Sequence, residues 1–192
     1  MNKLRLETIS DGLFAIIITV MLLELKIPQG NDLSALIKEL HLILSYILSF
    51  IYIGIYWNNH HHLFQVVESI NGKILWVNLH LMFWLTMIPL TTAWAAHTGY
   101  APIPTAIYAF GLFMCALAYR ILEKVIVQHE GEFSLASQLL TEDEKLIPSI
   151  ILYGTSIYFS LINTKLTLVI LGVLAVFWFL PNKRIEKYFE CQ

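Results

Sequence analysis

RLETISDGLFAIIITVMLLELKIP, Arg5 to Pro28, decides the fold. From Gly12 to Leu23 it carries no charge, and it is long enough to begin a membrane span. Its start holds Arg5, Ser10 and Asp11. A charge carried to the centre of a lipid-facing helix costs about 2.5–3.5 kcal/mol on insertion scales. These groups therefore need protein, water or lipid headgroups to receive them. Gly12, Ile16, Thr19 and Leu23 recur at i, i+4, i+7 and i+11, one stripe of a helix. A small residue, two aliphatics and a hydroxyl in a row suit the wall of a narrow conduit. The same row also suits a helix–helix seam. Glu24 and Lys26 follow near the far mouth, where Glu24 either attracts cations or pairs with a headgroup or lysine.

The composition agrees with a membrane setting. Of 192 residues, 57% are hydrophobic and 14% charged, with a mean hydropathy of +0.67. Soluble domains are nearer half apolar and a quarter charged. The net charge of −2 and the lack of a basic patch give no sign of nucleic acid as a partner. The first apolar run lacks a small-residue cleavage site and reads as a retained span, not a signal peptide. Cys115 and Cys191 have neither disulfide nor metal spacing.

Six apolar runs are visible, at about 8–27, 35–57, 74–96, 104–127, 147–162 and 166–181. A span needs on the order of 20 residues. The first four meet that length, while the last two read as a hairpin of short or tilted spans around Asn163-Thr164-Lys165. Pro28 to Asp32, Ser69 to Lys73 and His97 to Pro104 supply turn chemistry between spans. The longest polar piece, Gln128 to Lys145, ends in Thr141-x-x-Glu144, a capping pattern before the fifth span.

Charge asymmetry sets the expected orientation. With six spans, one side carries Lys3, Arg5, Lys73, Arg120, Lys124, Lys145, Lys183, Arg184 and Lys187, and the other carries Lys26, Lys38 and Lys165. Nine against three places both termini in the cytoplasm of a cell-membrane protein. Trp57, Trp76, Trp94 and Trp178 lie near run ends, where aromatic belts form. The expected architecture is an all-α integral membrane protein, residues 1–192 forming one six-helix domain.

Two further polar clusters stand out. YWNNHHHLF, Tyr56 to Phe64, follows the second run, and Asn78 and His80 lie early in the third. In a six-span topology these clusters meet Arg5, Ser10 and Asp11 at one membrane face. Histidine, tryptophan or asparagine donors can then meet Ser10 and Asp11, and Arg5 can supply the opposite charge. A simpler reading is local capping, since Thr8-x-x-Asp11 fits a capping box. Adjacent histidines on a helix diverge by about 100°, so His60-His61-His62 does not chelate a metal from one face. Histidines here also allow a pH response.

These residues together resemble the bacterial branch of the transmembrane protein 175 family, potassium channels related to a lysosomal one. The family's first-helix signature, arginine, three residues, then Phe-Ser-Asp, is matched by Arg5 through Ser10-Asp11, with Ile9 where the family has phenylalanine. Its tryptophan–histidine motif matches Trp57, His60 and His61, its Leu-Trp-x-Asn motif matches Leu75, Trp76 and Asn78, and its late proline matches Pro89. The resemblance is close over the first three runs and rests on hydropathy over the last three.

The resemblance implies a homotetramer with four first helices around a central pore. It implies that Ile16 forms the tightest ring, with Val20 and Leu23 along the same face, and that Thr19 bears on selectivity. The Thr-Val-Gly-Tyr-Gly filter of ordinary potassium channels is absent here, as in the family. The expected function is passive conduction of potassium, in preference to other monovalent cations, across the lipid bilayer. No cofactor, structural metal or enzymatic activity is expected. The rivals are a membrane enzyme or a carrier using His60 to His62 and Asp11. Carriers place ionisable residues or broken helices at mid-membrane, and here those positions are nearly free of charge.

Overall fold

A computed structural model describes residues 2–25, 27–131, 133–140 and 146–179. Among the described residues the structure is helical: α1 Lys3–Leu23, α2 Leu33–Lys38, α3 Leu40–Gln65, α4 Gly72–Thr86, α5 Ile88–His97, α6 Pro102–Glu130, α7 Leu135–Leu140, α8 Leu146–Ser160 and α9 Thr164–Phe179. Four stretches are long and apolar enough to cross a membrane: α1, α3, α4 with α5, and α6. The shorter α8 and α9 occupy the fifth and sixth apolar runs.

Short polar residues start the helices. The side chains of Asn2, Asp32 and Asn71 accept the N–H groups of Leu4, Ala35 and Ile74. The exposed Asp32 carboxyl is held below its usual pKa by the Ser34 hydroxyl and the Ala35 amide. Gly99 ends α5 with φ +61°. There Tyr100 N–H reaches Ala95 O at 2.8 Å and Gly99 N–H reaches Ala96 O at 3.0 Å, a left-handed closure that favours glycine.

Four boundaries differ from the sequence reading. First, α1 begins at Lys3 under an Asn2 cap, so Thr8 and Asp11 lie inside the helix. The Thr8 hydroxyl donates to Leu4 O at 2.8 Å instead of capping. Leu4 to Glu7 are good helix formers, and burial of Leu6 fixes that first turn. Second, the expected 35–57 span divides at Glu39 into α2 and α3. Third, α3 runs on to Gln65 and carries the histidine cluster within it. Leu63 and Phe64 are fully buried there, which keeps the chain helical past the polar run. Fourth, the third run breaks at Met87. Pro89 lacks an N–H and its ring crowds the carbonyl four residues back.

The core lies along α6, which packs on α4, α5, α7, α8 and α9. Leu112, Cys115, Ala118 and Leu122 of α6 are fully buried. Tyrosines and small hydroxyls join the helices across it. Tyr52 Oη donates to Leu171 O at 2.6 Å, Tyr119 Oη to Asn59 O at 3.1 Å, and Ser49 Oγ bonds the hydroxyls of Thr92 and Tyr108 at 2.8 and 3.0 Å. The last two helices form the expected hairpin, with Asn163 Oδ1 accepting Leu166 N–H and Thr167 Oγ1 donating to Ser156 O.

By contrast, α1 stands at the side of the bundle, against α3, α5 and α4. Only 28% of its apolar window is buried, against 56% for α6. Thr141 to Lys145, Lys26, Lys183, Arg184, Lys187 and Cys191 lie outside the described residues.

Candidate functional site

The two faces of α1 differ in burial. Leu6, Ser10, Phe14, Ile17 and Met21 are buried and recur at i, i+4, i+8, i+11 and i+15, the stripe of a helix packed on neighbours. Gly12, Ile16, Thr19 and Leu23 form a second stripe two residues later, about 200° around the helix. All four are exposed. Ile16 is 59% exposed and Leu23 77%, whereas Phe14 and Ile17 are 2%. Val20 flanks this outer stripe and is 42% exposed. Within the subunit, therefore, the stripe is no helix–helix seam.

Thr19 is the hydroxyl between Ile16 and Leu23 on this stripe. Its Oγ1 donates to Ala15 O at 2.8 Å. The proton is thereby committed to the helix's own backbone, so toward any other group this exposed hydroxyl can act only as an acceptor. A cation beside this face would meet oxygen and no competing donor. Ile16 and Thr19 are separated along the axis by about 4.5 Å, and Ile16 and Leu23 by about 10 Å, at 1.5 Å per residue.

The buried face of α1 is held by a polar chain through three helices. Ser10 and Asn78 are fully buried and His60 nearly so. His60 Nε2 donates to Asn78 Oδ1 at 2.8 Å, and Asn78 Nδ2 donates to Ser10 Oγ at 3.0 Å. Phe14 sets its ring edge against His60 at 5.7 Å between centroids, and Phe64 packs on the same imidazole at 4.6 Å. Among the described residues no fully buried side-chain nitrogen or oxygen lacks a partner, the condition under which buried polar groups are tolerated.

A second link is more exposed. Trp57 Nε1 donates to Asp11 Oδ1 at 3.0 Å, and the Trp57 ring stacks on His61 at 6.1 Å with an 18° tilt. Gln65 Nε2 donates to His61 Nε2 at 2.9 Å. Ser10, Asp11, Trp57, His60, His61 and Asn78 are thus joined in two groups. His80 lies outside them and accepts from Trp84 Nε1 at 3.0 Å.

Arg5 does not join them. Among the described residues it has no hydrogen bond or ion pair, and it is exposed. Six residues separate it from Asp11, which turns the two side chains about 120° apart on the helix. They cannot pair as i, i+3 or i, i+4 neighbours do. Arg5 falls instead on the outer stripe, seven residues before Gly12. Ile9 is likewise exposed.

Three contacts were not legible in the sequence: Phe14 on His60, Gln65 on His61, and Lys3 Nζ donating to Val67 O at 2.8 Å. The buried stripe's period was the available signal for Phe14. Among the described residues, no group of three or more His, Cys, Asp or Glu side chains is placed to hold a metal ion.

Comparison with known proteins follows the same helices. The sequence profile described as "Endosomal/lysosomal potassium channel TMEM175" matches residues 5–89, a range that holds α1 from Arg5 onward and every residue of the polar chain. A potassium channel of a Chryseobacterium species is 49% identical over 187 residues, covering 97% of each chain. The crystal structure of a lysosomal potassium-selective channel TMEM175 homolog from Chamaesiphon minutus superposes with a TM-score of 0.81 at 27% identity, covering 93% of this chain and 96% of that one. The endosomal/lysosomal proton channel TMEM175 of Gallus gallus is 33% identical over 128 residues, 64% of this chain and 25% of that protein. With near-complete coverage at that identity, and a matched fold, this chain belongs to the TMEM175 family.

Proposed function

We infer that the chain is the subunit of a potassium channel of the cell membrane, passing ions passively along α1. The observation that carries the reading is the outer stripe of α1: apolar, exposed, interrupted by one outward oxygen at Thr19, and opposite a face fixed by buried hydrogen bonds. Its membership of a family of ion channels supports a non-enzymatic role.

In this reading four copies assemble as a homotetramer with the α1 stripes around the axis. Closed rotational symmetry is the usual way for identical helices to surround a pore. α1, α3, α4 with α5, α6, α8 and α9 then make six spans in one membrane domain, with both termini cytoplasmic. The bonding supports that alternation, because the start of α1, the end of α3, the start of α4 and the end of α6 meet at one end of the bundle.

The rings of Ile16, Val20 and Leu23 act as a hydrophobic constriction that conducts only when it widens and wets. Potassium sheds water more readily than sodium, and the Thr19 oxygens replace part of the shell. The Ser10–Asn78–His60 chain and the Trp57–Asp11 bond fix the rotation of α1, and so the side chains that reach the axis. Arg5 ends the stripe at the cytoplasmic mouth. No resident cofactor takes part.

Reversal potentials under opposed potassium and sodium gradients test this reading, in bilayers holding the purified protein. Wild type should prefer potassium, and Ile16→Asn, which makes the ring wettable, should raise current and weaken discrimination. If the substitution alters neither, Ile16 is not at the constriction.

A further inference from the structure

The loop between α3 and α4 is gripped from two sides. Lys3 of α1 donates to Val67 O. On the other side, Glu130 Oε1 accepts the N–H groups of Glu68 and Ser69 at 3.2 and 3.1 Å. His129 Nε2 meets Ser69 Oγ at 3.1 Å, and its Nδ1 meets Asn71 Nδ2 at 3.0 Å. Asn71 also caps α4, its Oδ1 accepting Ile74 N–H at 2.9 Å.

Chemistry fixes the direction of these bonds. A backbone N–H can only donate, so the Asn71 atom capping α4 is the carbonyl oxygen. The other end of that amide is then an NH2 group, a donor with no lone pair to offer. His129 Nδ1 must accept from it, which requires a neutral imidazole with its proton on Nε2, given to Ser69 Oγ. In an imidazolium both nitrogens donate, and Nδ1–H would confront the Asn71 NH2.

The site lies at the end of a helix longer than the membrane core. The 29 residues of α6 span about 43 Å at 1.5 Å per residue, more than the roughly 30 Å of a hydrocarbon core. His129 lies exposed in the last turn. Imidazole is the side chain that changes charge between about pH 5 and 8. The charged groups around the junction are Glu130 on α6, Glu68 in the loop, Lys3 on α1 and Lys73 on the first turn of α4. Glu130 stays committed to two backbone N–H groups.

We propose that His129 and Asn71 form a proton-released clasp between the end of α6 and the start of α4. Neutral His129 holds the loop and the α4 cap, and its protonation opens the hold. α4 carries Asn78, which bonds Ser10 of α1, so the clasp acts one helix away from the stripe. Any effect on conduction rests on the channel reading above, whereas the clasp itself does not.

Hydrogen exchange of amides 68–74 in the full-length protein, at about pH 7.5 and about pH 5.5 and corrected for intrinsic rates, tests it across the imidazole range. Protection in wild type should fall about two- to tenfold on acidification, the worth of one hydrogen bond. His129→Gln can accept from Asn71 and donate to Ser69 at either pH, and should keep its protection. Asn71→Asp still caps α4 but accepts from an imidazolium, and should gain protection on acidification. Equal pH responses in wild type and His129→Gln overturn the clasp, as does an Asn71→Asp response of the wild-type sign. The predicted exchange pattern in a protein that passes no potassium would support the clasp and count against the channel reading.

Discussion

Asn78 of α4 donates to the Ser10 hydroxyl of α1 across 3.0 Å, both residues being fully buried. The same amide accepts from His60 of α3, so one side chain of α4 bonds both α1 and α3. Replacing Asn78 by alanine leaves a buried His60 N–H without its acceptor. A buried donor left unpaired costs about 1–3 kcal/mol. Asn78→Ala should lower the unfolding midpoint of the purified protein accordingly, and Asn78→Leu no less, because a leucine accepts nothing. Unfolding of detergent-solubilised protein followed by circular dichroism is the check.

The two faces of α1 should separate in their effects. Phe14→Ala empties a packed site and should cost about 3–5 kcal/mol. Leu23→Ala removes a side chain that is 77% exposed within the subunit, so subunit stability should change little while single-channel current rises. Measuring both quantities on both variants tests the division. Equal destabilisation would put Leu23 in a packed seam.

Thr19→Val keeps the shape and removes the oxygen. The hydroxyl bonds only its own helix, at Ala15 O, so the fold should tolerate the change to within about 1 kcal/mol. The potassium-to-sodium permeability ratio should fall toward one, and Thr19→Ser should restore it. A Thr19→Val channel with unchanged selectivity would remove that ring from ion recognition.

Trp57 and Asp11 should act as a pair. Trp57→Phe keeps most of the ring and loses the Nε1 donor, while Asp11→Ala loses the acceptor. In a double-mutant cycle on thermal stability, a coupling of about 0.5–1.5 kcal/mol is expected for such a bond. Strict additivity would mean that the contact contributes nothing.

Much of this arrangement was legible in the residues. Apolar runs locate helices because a bilayer leaves backbone groups no other partner, and all six runs contain helix, the second and third each in two pieces. The stripe through Gly12, Ile16, Thr19 and Leu23 needed only the helical period. Ser10, Asp11, Trp57, His60 and Asn78 stood out as polar groups in apolar surroundings, which must find partners.

The rest depended on tertiary contacts. The histidine run looked like the end of a helix, but burial of Leu63 and Phe64 carries α3 through it. Thr8 and Asp11 had the spacing of a cap, yet the cap is Asn2, six residues before Thr8, with Leu6 buried in the first turns of α1. Arg5 looked like the natural partner of Asp11, and the helical turn between them prevents it. Periodicity gives the face of a residue, and only packing shows which neighbour occupies that face.

The claim that α1 lines the pathway is tested most directly by single cysteines along it, in a Cys191→Ser background that keeps the buried Cys115. A water-soluble, positively charged thiol reagent should block potassium current when the cysteine replaces Ile16, Thr19 or Leu23. It should leave current intact when the cysteine replaces Phe14, Ile17 or Met21. Block at the second set, or no block at the first, would contradict a pore built on the exposed stripe of α1.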